Sequence, residues 1–245
     1  MAQQKTESKN QNKRNNETVK HVQLERKRPK LSKVNGSKQG NNKSNNQNKK
    51  NNNRRPKQNQ TKRDPKATLR IIPLGGLDAI GKNMTVFECK NDMVLDDAGL
   101  MFPDDDHPGI DLILPDYTYV LENADKLRGI IITHGHEDHT GALPYLLKDL
   151  GKQVPIYATK LKEHKIKNAK LCEIKPGQTI DLGCIKAEFF AVNHSIPDAV
   201  GVFYRSPAGN VLHMGDFKLD QSPIDGVQTD FAALARFAKE GVDLM

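Results

Sequence analysis

The stretch that decides the fold of this chain is His134-Gly135-His136-Glu137-Asp138-His139. It follows an apolar, β-branched run at residues 130–132, which predicts a buried strand. It precedes residues 142–150, which predict a short helix that ends near Gly151. Three imidazoles and two carboxylates therefore share one loop at the carboxyl end of a strand. Neutral imidazole and carboxylate groups are ligands for a borderline divalent cation such as zinc.

A solvated polar loop is the alternative interpretation, because histidine also occurs in turns that bind nothing. Five ionisable groups in six residues after a buried strand would be costly to leave without a counter-ion, so a metal site is favoured. The candidate ligands of the loop cannot all serve one tetrahedral ion from so tight a turn. Two neighbouring ions are therefore expected, an arrangement that recurs in the hydrolysis of phosphate esters. These ligands are His134, His136, Asp138 and His139.

Three other predicted strands also end in a polar side chain. Residues 185–192 lead to His194 and residues 210–214 lead to Asp216. Either residue alone would more often be structural, but beside the first loop ligation is favoured. Asp97 follows the predicted strand at residues 93–96, where it could orient a ligand or the loop backbone. An ordinary turn aspartate is the alternative for Asp97.

The rest of the folded part alternates strand and helix patterns. Strands are predicted at residues 68–72, at 84–89 paired with 93–96, at 155–157 and at 178–182. Helices are predicted at residues 115–123 and 231–239. The pattern indicates a mixed α/β domain.

The charge of the chain is divided unevenly along its length. Residues 1–66 carry 20 Lys and Arg against 4 Asp and Glu, whereas the remaining 179 residues carry 18 against 26. The first segment is rich in Asn, Gln, Lys and Arg, and its few apolar residues cannot offset the entropy of ordering, which predicts disorder. A solubilising extension and a nonspecific arm for RNA phosphates are equally supported interpretations. No aromatic residue is present in this segment to stack on bases.

Composition also bounds the environment of the protein. The three cysteines, Cys89, Cys172 and Cys184, form no Cys-x-x-Cys pair, which fits a reducing cytosol better than a disulfide framework. The first residues have no apolar core for a signal peptide. No run approaches the roughly 18 apolar residues that a membrane span needs. The sequence predicts a soluble, cytoplasmic protein with no membrane partner.

Six short segments resemble the ribonuclease J family of the metallo-β-lactamase superfamily, in the same order. They are Gly81-Lys-Asn83, Asp97-Ala-Gly-Leu-Met-Phe-Pro103, Gly109-Ile-Asp-Leu-Ile-Leu-Pro-Asp116, His134-Gly-His-Glu-Asp-His139, Asn193-His-Ser-Ile-Pro-Asp198 and Gly215-Asp-Phe-Lys-Leu-Asp220. The resemblance implies an α/β (α+β) fold, the metallo-β-lactamase αββα sandwich, mainly its first half. Residues 67–245 would form this domain after a disordered tail at residues 1–66.

The resemblance also implies a site and an activity. One divalent ion would be held by His134, His136 and His194, the other by Asp138 and His139, with Asp216 bridging. The ions are expected to be zinc, with manganese as the alternative, and Asp138 and Asp216 are the candidate catalytic residues. The family cuts RNA by 5′-to-3′ exonuclease and endonuclease action, in which a metal-activated hydroxide attacks the phosphorus. RNA is therefore the expected partner.

Three departures from the family pattern limit what this chain is expected to do. By this resemblance the chain is expected to stop before the family's beta-CASP insertion and so to lack a late metal-binding histidine and the C-terminal dimerisation region, which argues against a family-type homo-oligomer. The region at residues 161–165 is shorter than in the family, which usually has a helix of several more residues there. Met214 stands where the family usually has a small hydroxyl residue. We expect weak metal binding and little turnover, partly because a half-fold would leave strands such as residues 130–132 uncovered.

Two other functions remain as alternatives. The same fold could hydrolyse a small ester, thioester or lactam, although the segments around Asp97 and His194 argue for the ribonuclease. A non-catalytic RNA-binding remnant would keep the basic tail with an incomplete site. Turnover on 5′-monophosphorylated RNA and on a generic lactam separates the two enzymatic hypotheses.

Overall fold

A computed structural model describes residues 63–159 and 169–245 of the chain. Within them the strands are β1 (Leu69–Gly75), β2 (Met84–Cys89), β3 (Asp92–Asp96), β4 (Leu127–Ile131), β5 (Pro155–Ala158), β6 (Lys170–Glu173), β7 (Thr179–Leu182), β8 (Ile185–Ala191), β9 (Val200–Arg205) and β10 (Asn210–His213). The helices are α1 (Thr118–Glu122), α2 (Glu137–Thr140), α3 (Leu143–Leu150) and α4 (Phe231–Glu240). Every helix of the described part is too short or too polar to cross a bilayer.

The strands form two sheets. The first has the order β1-β2-β3-β4-β5-β6, and the second has the order β10-β9-β8-β7. Strands β1 to β3 pair antiparallel, whereas β4 joins β3 in parallel and β5 and β6 continue the parallel part. All pairs of the second sheet are antiparallel. The parallel part matters for function because it places the ends of β3 and β4 at the same edge.

The central strands of the first sheet are buried on both faces. Leu95 of β3 and Ile130 of β4 pack on one face with Val120 of α1 and Leu146 of α3. Ile131 lies on the opposite face, in a cluster that residues of the second sheet also line. A strand that is covered on both faces reads as a continuous apolar run, which is the pattern of residues 130–132.

The second sheet is buried in the same way. Phe189 and Val202 face the first sheet, whereas Phe203 faces α4 and stacks on Phe237 with ring centroids 4.2 Å apart. Met214 is buried in this outer cluster. The layers therefore run helix, sheet, sheet, helix, which confirms the predicted αββα sandwich.

One structural expectation from the sequence is wrong. The run at residues 130–132 was expected to lack a covering layer, but Ile130 and Ile131 are 0% exposed and Ile132 is 1% exposed. Helices α1 and α3 cover one face of the run and the second sheet covers the other. The described residues therefore supply this strand with both of its covering layers.

The predicted tail at residues 1–66 lies only partly within the described residues. Residues 1–62, on which the prediction of disorder falls, lie outside the described residues, as does the short region at residues 161–165. Residues 63–66 are described: Arg63 forms an ion pair with Asp243 at 2.8 Å. The backbone N–H of Asp64 donates to the carbonyl of Pro207 at 2.9 Å. The boundary of the tail at residue 66 stays a prediction.

Candidate metal centre

Loops from both sheets meet at one edge of the domain. Strand β4 leads through Thr133 to His134, β8 leads to His194, and β10 leads to Asp216. The backbone N–H of Val200 donates to the carbonyl of Thr133 at 3.0 Å. This bond ties the second sheet to the loop that follows β4. The structure thereby brings together side chains that lie up to 82 positions apart in the sequence.

Three imidazoles face one another at this edge; we call them the imidazole triad, His134, His136 and His194. His136 Nδ1 lies 3.0 Å from His134 Nε2 and 3.2 Å from His194 Nε2. Nitrogens bound to one tetrahedral zinc ion at about 2.0–2.1 Å lie roughly 3.3 Å from each other. The spacing and the donor chemistry of the triad therefore fit a divalent cation.

A second group lies beside the triad; we call it the mixed cluster, Asp138, His139 and Asp216. His139 Nε2 is 3.5 Å from Asp138 Oδ2 and 3.6 Å from Asp216 Oδ1. The other oxygen of Asp216, Oδ2, is 3.7 Å from His194 Nε2 in the triad. One carboxylate therefore presents one oxygen to each group. The donor types again suit a divalent cation, with Asp216 placed to be shared.

Asp97 connects the loops behind these groups. Its backbone has a φ of 60°, and its side chain is buried. Oδ1 accepts the backbone N–H of Thr133 at 2.8 Å, and Oδ2 accepts the Thr133 hydroxyl at 2.8 Å. Oδ2 also lies 2.7 Å from His139 Nδ1. A carboxylate on Nδ1 fixes the tautomer and leaves the Nε2 lone pair toward the mixed cluster.

The protonation of the histidines differs between the two groups. Burial, with the charges of the neighbouring histidines, lowers the pKa of His134 to about 2. Burial also lowers the pKa of His194, although the carboxylate of Asp216 opposes this effect. These imidazoles are therefore neutral at pH 7, with lone pairs available to a cation.

His139 behaves in the opposite way. Burial alone would lower its pKa, but the hydrogen bond to Asp97 and the nearby carboxylates outweigh burial and raise the pKa of His139. A divalent cation at Nε2 would take over the role of the added proton. The carboxylates that favour a proton on this ring also favour a metal ion.

Sequence reasoning missed two residues at this edge. Thr133 Oγ1 donates to Asp97 and lies 3.1 Å from His134 Nδ1. The amide nitrogen of Asn83 lies 3.0 Å from His139 Nε2. Asn83 belongs to a segment that resembles the family, but nothing in the sequence gave it a role at the site.

His213 lies outside the two groups. Its Nδ1 is 2.8 Å from Asp96 Oδ2, which also accepts the hydroxyl of Tyr204 at 2.6 Å. Burial opposes this, but the Asp96 carboxylate raises the pKa of His213 to about 9. This histidine is thus part of a packed polar network outside the two ligand groups.

Comparison with known proteins agrees with the architecture. The family described as the beta-lactamase superfamily domain matches residues 107–233, which include both groups. Ribonuclease J of Corynebacterium glutamicum is 47% identical over 190 residues, 74% of this chain and 26% of that protein. Ribonuclease J of Thermus thermophilus is 41% identical over 203 residues, 77% of this chain and 35% of that protein.

Among solved structures, the metallo-beta-lactamase fold protein YhfI from Bacillus subtilis aligns with 62% of this chain and 64% of its own, at 18% identity and a TM-score of 0.45. The chain spans about a quarter to a third of the length of the ribonucleases J that it matches. The family match alone covers more than half of this chain. The chain therefore belongs to the beta-lactamase superfamily, and within it is a homologue of ribonuclease J.

Proposed function

We propose that this chain carries the metal-dependent hydrolytic site of a ribonuclease J-type enzyme, which cuts RNA as an exonuclease and endonuclease. The observation that supports this most is the position of Asp216, which offers one carboxylate oxygen to each of two ligand groups. Sites with paired metal ions recur in the hydrolysis of phosphate esters. Relatives that are 41% and 47% identical to this chain are named ribonuclease J.

The residues divide into two ion positions with one shared ligand. The imidazole triad would hold the first ion, and Asp138 and His139 would hold the second, with Asp216 bridging. Zinc suits this nitrogen and oxygen donor set, and manganese is the alternative. When bound, such ions supply a hydroxide nucleophile at neutral pH and stabilise negative charge on the phosphoryl oxygens.

The protein's own groups prepare the site for that chemistry. Asp97 holds the His139 ring by Nδ1, so that Nε2 points to the mixed cluster. Asp138 and Asp216 are the candidate catalytic residues because their side chains are 34% and 48% exposed. Water and a phosphodiester can reach these carboxylates, whereas the His139 side chain is 4% exposed.

RNA and a cytoplasmic location complete the proposal. Residues 67–245 carry more acidic than basic residues, so their net charge does not attract a phosphate backbone. The strongly basic residues 1–66 could supply that attraction as a nonspecific arm, lost steeply as salt rises. The three cysteines are free thiols, which is usual in a reducing cytosol.

The test is turnover by the full chain on 5′-monophosphorylated RNA, with zinc or manganese and after chelation. We expect slow, chelator-sensitive cleavage, because the mixed cluster offers the second ion three side chains. Asp216→Asn should abolish cleavage, whereas the exposed Asp105→Asn should not. Hydrolysis of a lactam or thioester without RNA cleavage would contradict the proposal. RNA binding without turnover under any metal condition would leave a non-catalytic remnant instead.

A further inference from the structure

The side-chain amide of Asn83 lies directly against the mixed cluster. Its Nδ2 atom is 3.0 Å from His139 Nε2 and 3.3 Å from Asp138 Oδ2. Both atoms belong to side chains that the proposed function assigns to the second ion. An amide nitrogen carries two N–H groups, so it can donate to both partners at once.

The backbone of Asn83 is held by a hydrogen bond on each side. The backbone N–H of Asn83 donates to the carbonyl of Asp138 at 3.0 Å, and its carbonyl accepts the N–H of Gly99 at 2.9 Å. Below the amide lies Gly76, with a φ of +81°. A Cβ on Gly76 would lie 2.5 Å from Asn83 Oδ1. The amide position therefore requires glycine at residue 76.

The hydrogen bonds also have a defined direction. In the neutral ring, the Asp97 carboxylate at His139 Nδ1 selects the tautomer in which Nε2 is the acceptor. The Asn83 N–H groups therefore donate to a lone pair of His139 and to the carboxylate of Asp138. One side-chain amide, from the loop before β2, thus contacts two candidate ligands of α2.

We propose that Asn83 is a positioning residue of the second ion position, in addition to the ligands and Asp97. It holds Asp138 Oδ2 and His139 Nε2 toward a common point and gives up its bond to Nε2 when a cation binds there. The inference deepens the proposed function and rests on it. Loss of an outer partner of a metal ligand typically costs about 10–100-fold in affinity. We expect the lower end, about tenfold, because one of the two hydrogen bonds is given up on binding.

The experiment is a zinc titration of the full chain against a competing chelator, with the melting temperature measured in parallel. Asn83→Ala should weaken the second ion about tenfold and leave the first ion unchanged. The control Asn123→Ala removes another amide bond, from Nδ2 to the carbonyl of Tyr119 at 3.0 Å, away from the site. It should leave both ions unchanged. If Asn83→Ala does not fold, Asn83→Ser, which fills part of the space, is measured in its place.

The outcomes separate the inference from the function. Unchanged affinity for the second ion in the Asn83 variant would overturn the inference and leave the proposed function standing. Equal weakening of both ions together with a lower melting temperature would show a merely structural role and also overturn it. A wild-type chain that binds fewer than two ions would overturn both the inference and the two-ion site of the proposed function.

Discussion

The imidazole triad and the mixed cluster are adjacent, yet they are built differently. The triad consists of three imidazoles, and His136 Nδ1 lies 3.0 Å from His134 Nε2 and 3.2 Å from His194 Nε2. The mixed cluster has wider spacings of 3.5 and 3.6 Å and two carboxylates that are partly exposed. Its shape is set by residues that are not ligands, Asp97 and Asn83. The triad has an outer contact, from Thr133 Oγ1 to His134 Nδ1 at 3.1 Å, whereas both Asp97 and Asn83 contact His139 of the mixed cluster.

The difference predicts an asymmetric site. Preorganised ligands bind a cation without further ordering, so the triad should hold its ion more tightly. The mixed cluster should respond to changes in residues that never touch the ion. The first two variants below each change one side of this comparison, and the third changes a network outside it.

The largest effect is expected for His136→Ala. His136 Nδ1 faces both other rings of the triad, so its loss removes a ligand from the tighter position. Metal affinity there should fall by more than the roughly 10–100-fold that an outer partner costs. Bound metal per chain after dialysis checks this result. The control is His107→Ala, a surface histidine paired with Asp104, and unchanged metal content in His136→Ala would refute the triad assignment.

A smaller and selective effect is expected for Asp97→Asn. In either orientation the amide would place N–H groups against a present donor: His139 Nδ1 and the Thr133 hydroxyl in one, the Thr133 backbone N–H in the other. The second ion should be weakened about 10–100-fold, and the first ion much less. Zinc titration resolves the two steps, with Asp105→Asn as the control. Equal weakening of both steps would contradict the idea that the mixed cluster depends more on outside supports than the triad does.

The smallest effect is expected for a change at His213. Its partner Asp96 precedes Asp97 but belongs to a network outside the site. The raised pKa of His213, about 9, means that the folded state keeps a proton that the unfolded chain releases near pH 6.5. The stabilisation that the protonated His213 provides is complete below pH 6.5 and is lost as the pH rises from 6.5 to 9. The ring is 33% exposed, so solvent screening limits the contribution to about 1 kcal/mol.

The corresponding variant is His213→Asn, compared with wild type by urea unfolding in the presence of a chelator. The wild-type advantage in free energy of unfolding should be larger at pH 6 than at pH 9.5. A pH-independent difference would show that the histidine contributes packing but no charge interaction with Asp96.

The sequence predicted the elements that carry the site because their patterns are local. Strand β4, helix α3 and the hairpin of β2 and β3 follow from apolar runs, turn residues and Gly151 at the helix end, and all are confirmed. The six candidate ligands lie at one edge of the domain, and their roles as ligands stay predictions. The sequence could predict where these residues lie because the apolar patterns show where each strand ends.

Other features depend on tertiary contacts that no local pattern contains. Strand β9 was missed because both of its faces are buried, so Val200–Arg205 shows no alternation. Strand β6 was missed for the opposite reason: it is mostly exposed and exists through its pairing with β5. Asn83 is not a typical metal ligand, and its partners lie 55 and 56 positions away. The apolar run at residues 130–132 predicted a buried strand, but the sequence pattern does not show which layers cover its two faces.

The most direct test of the central claim is an anomalous difference map from crystals of the full chain grown with zinc. The data would be collected at the X-ray absorption edge of zinc. The account predicts two peaks per chain, the stronger among His134, His136 and His194. The weaker peak should lie among Asp138, His139 and Asp216, with Asp216 contacting both ions. A single peak, or peaks away from these six residues, would contradict the account.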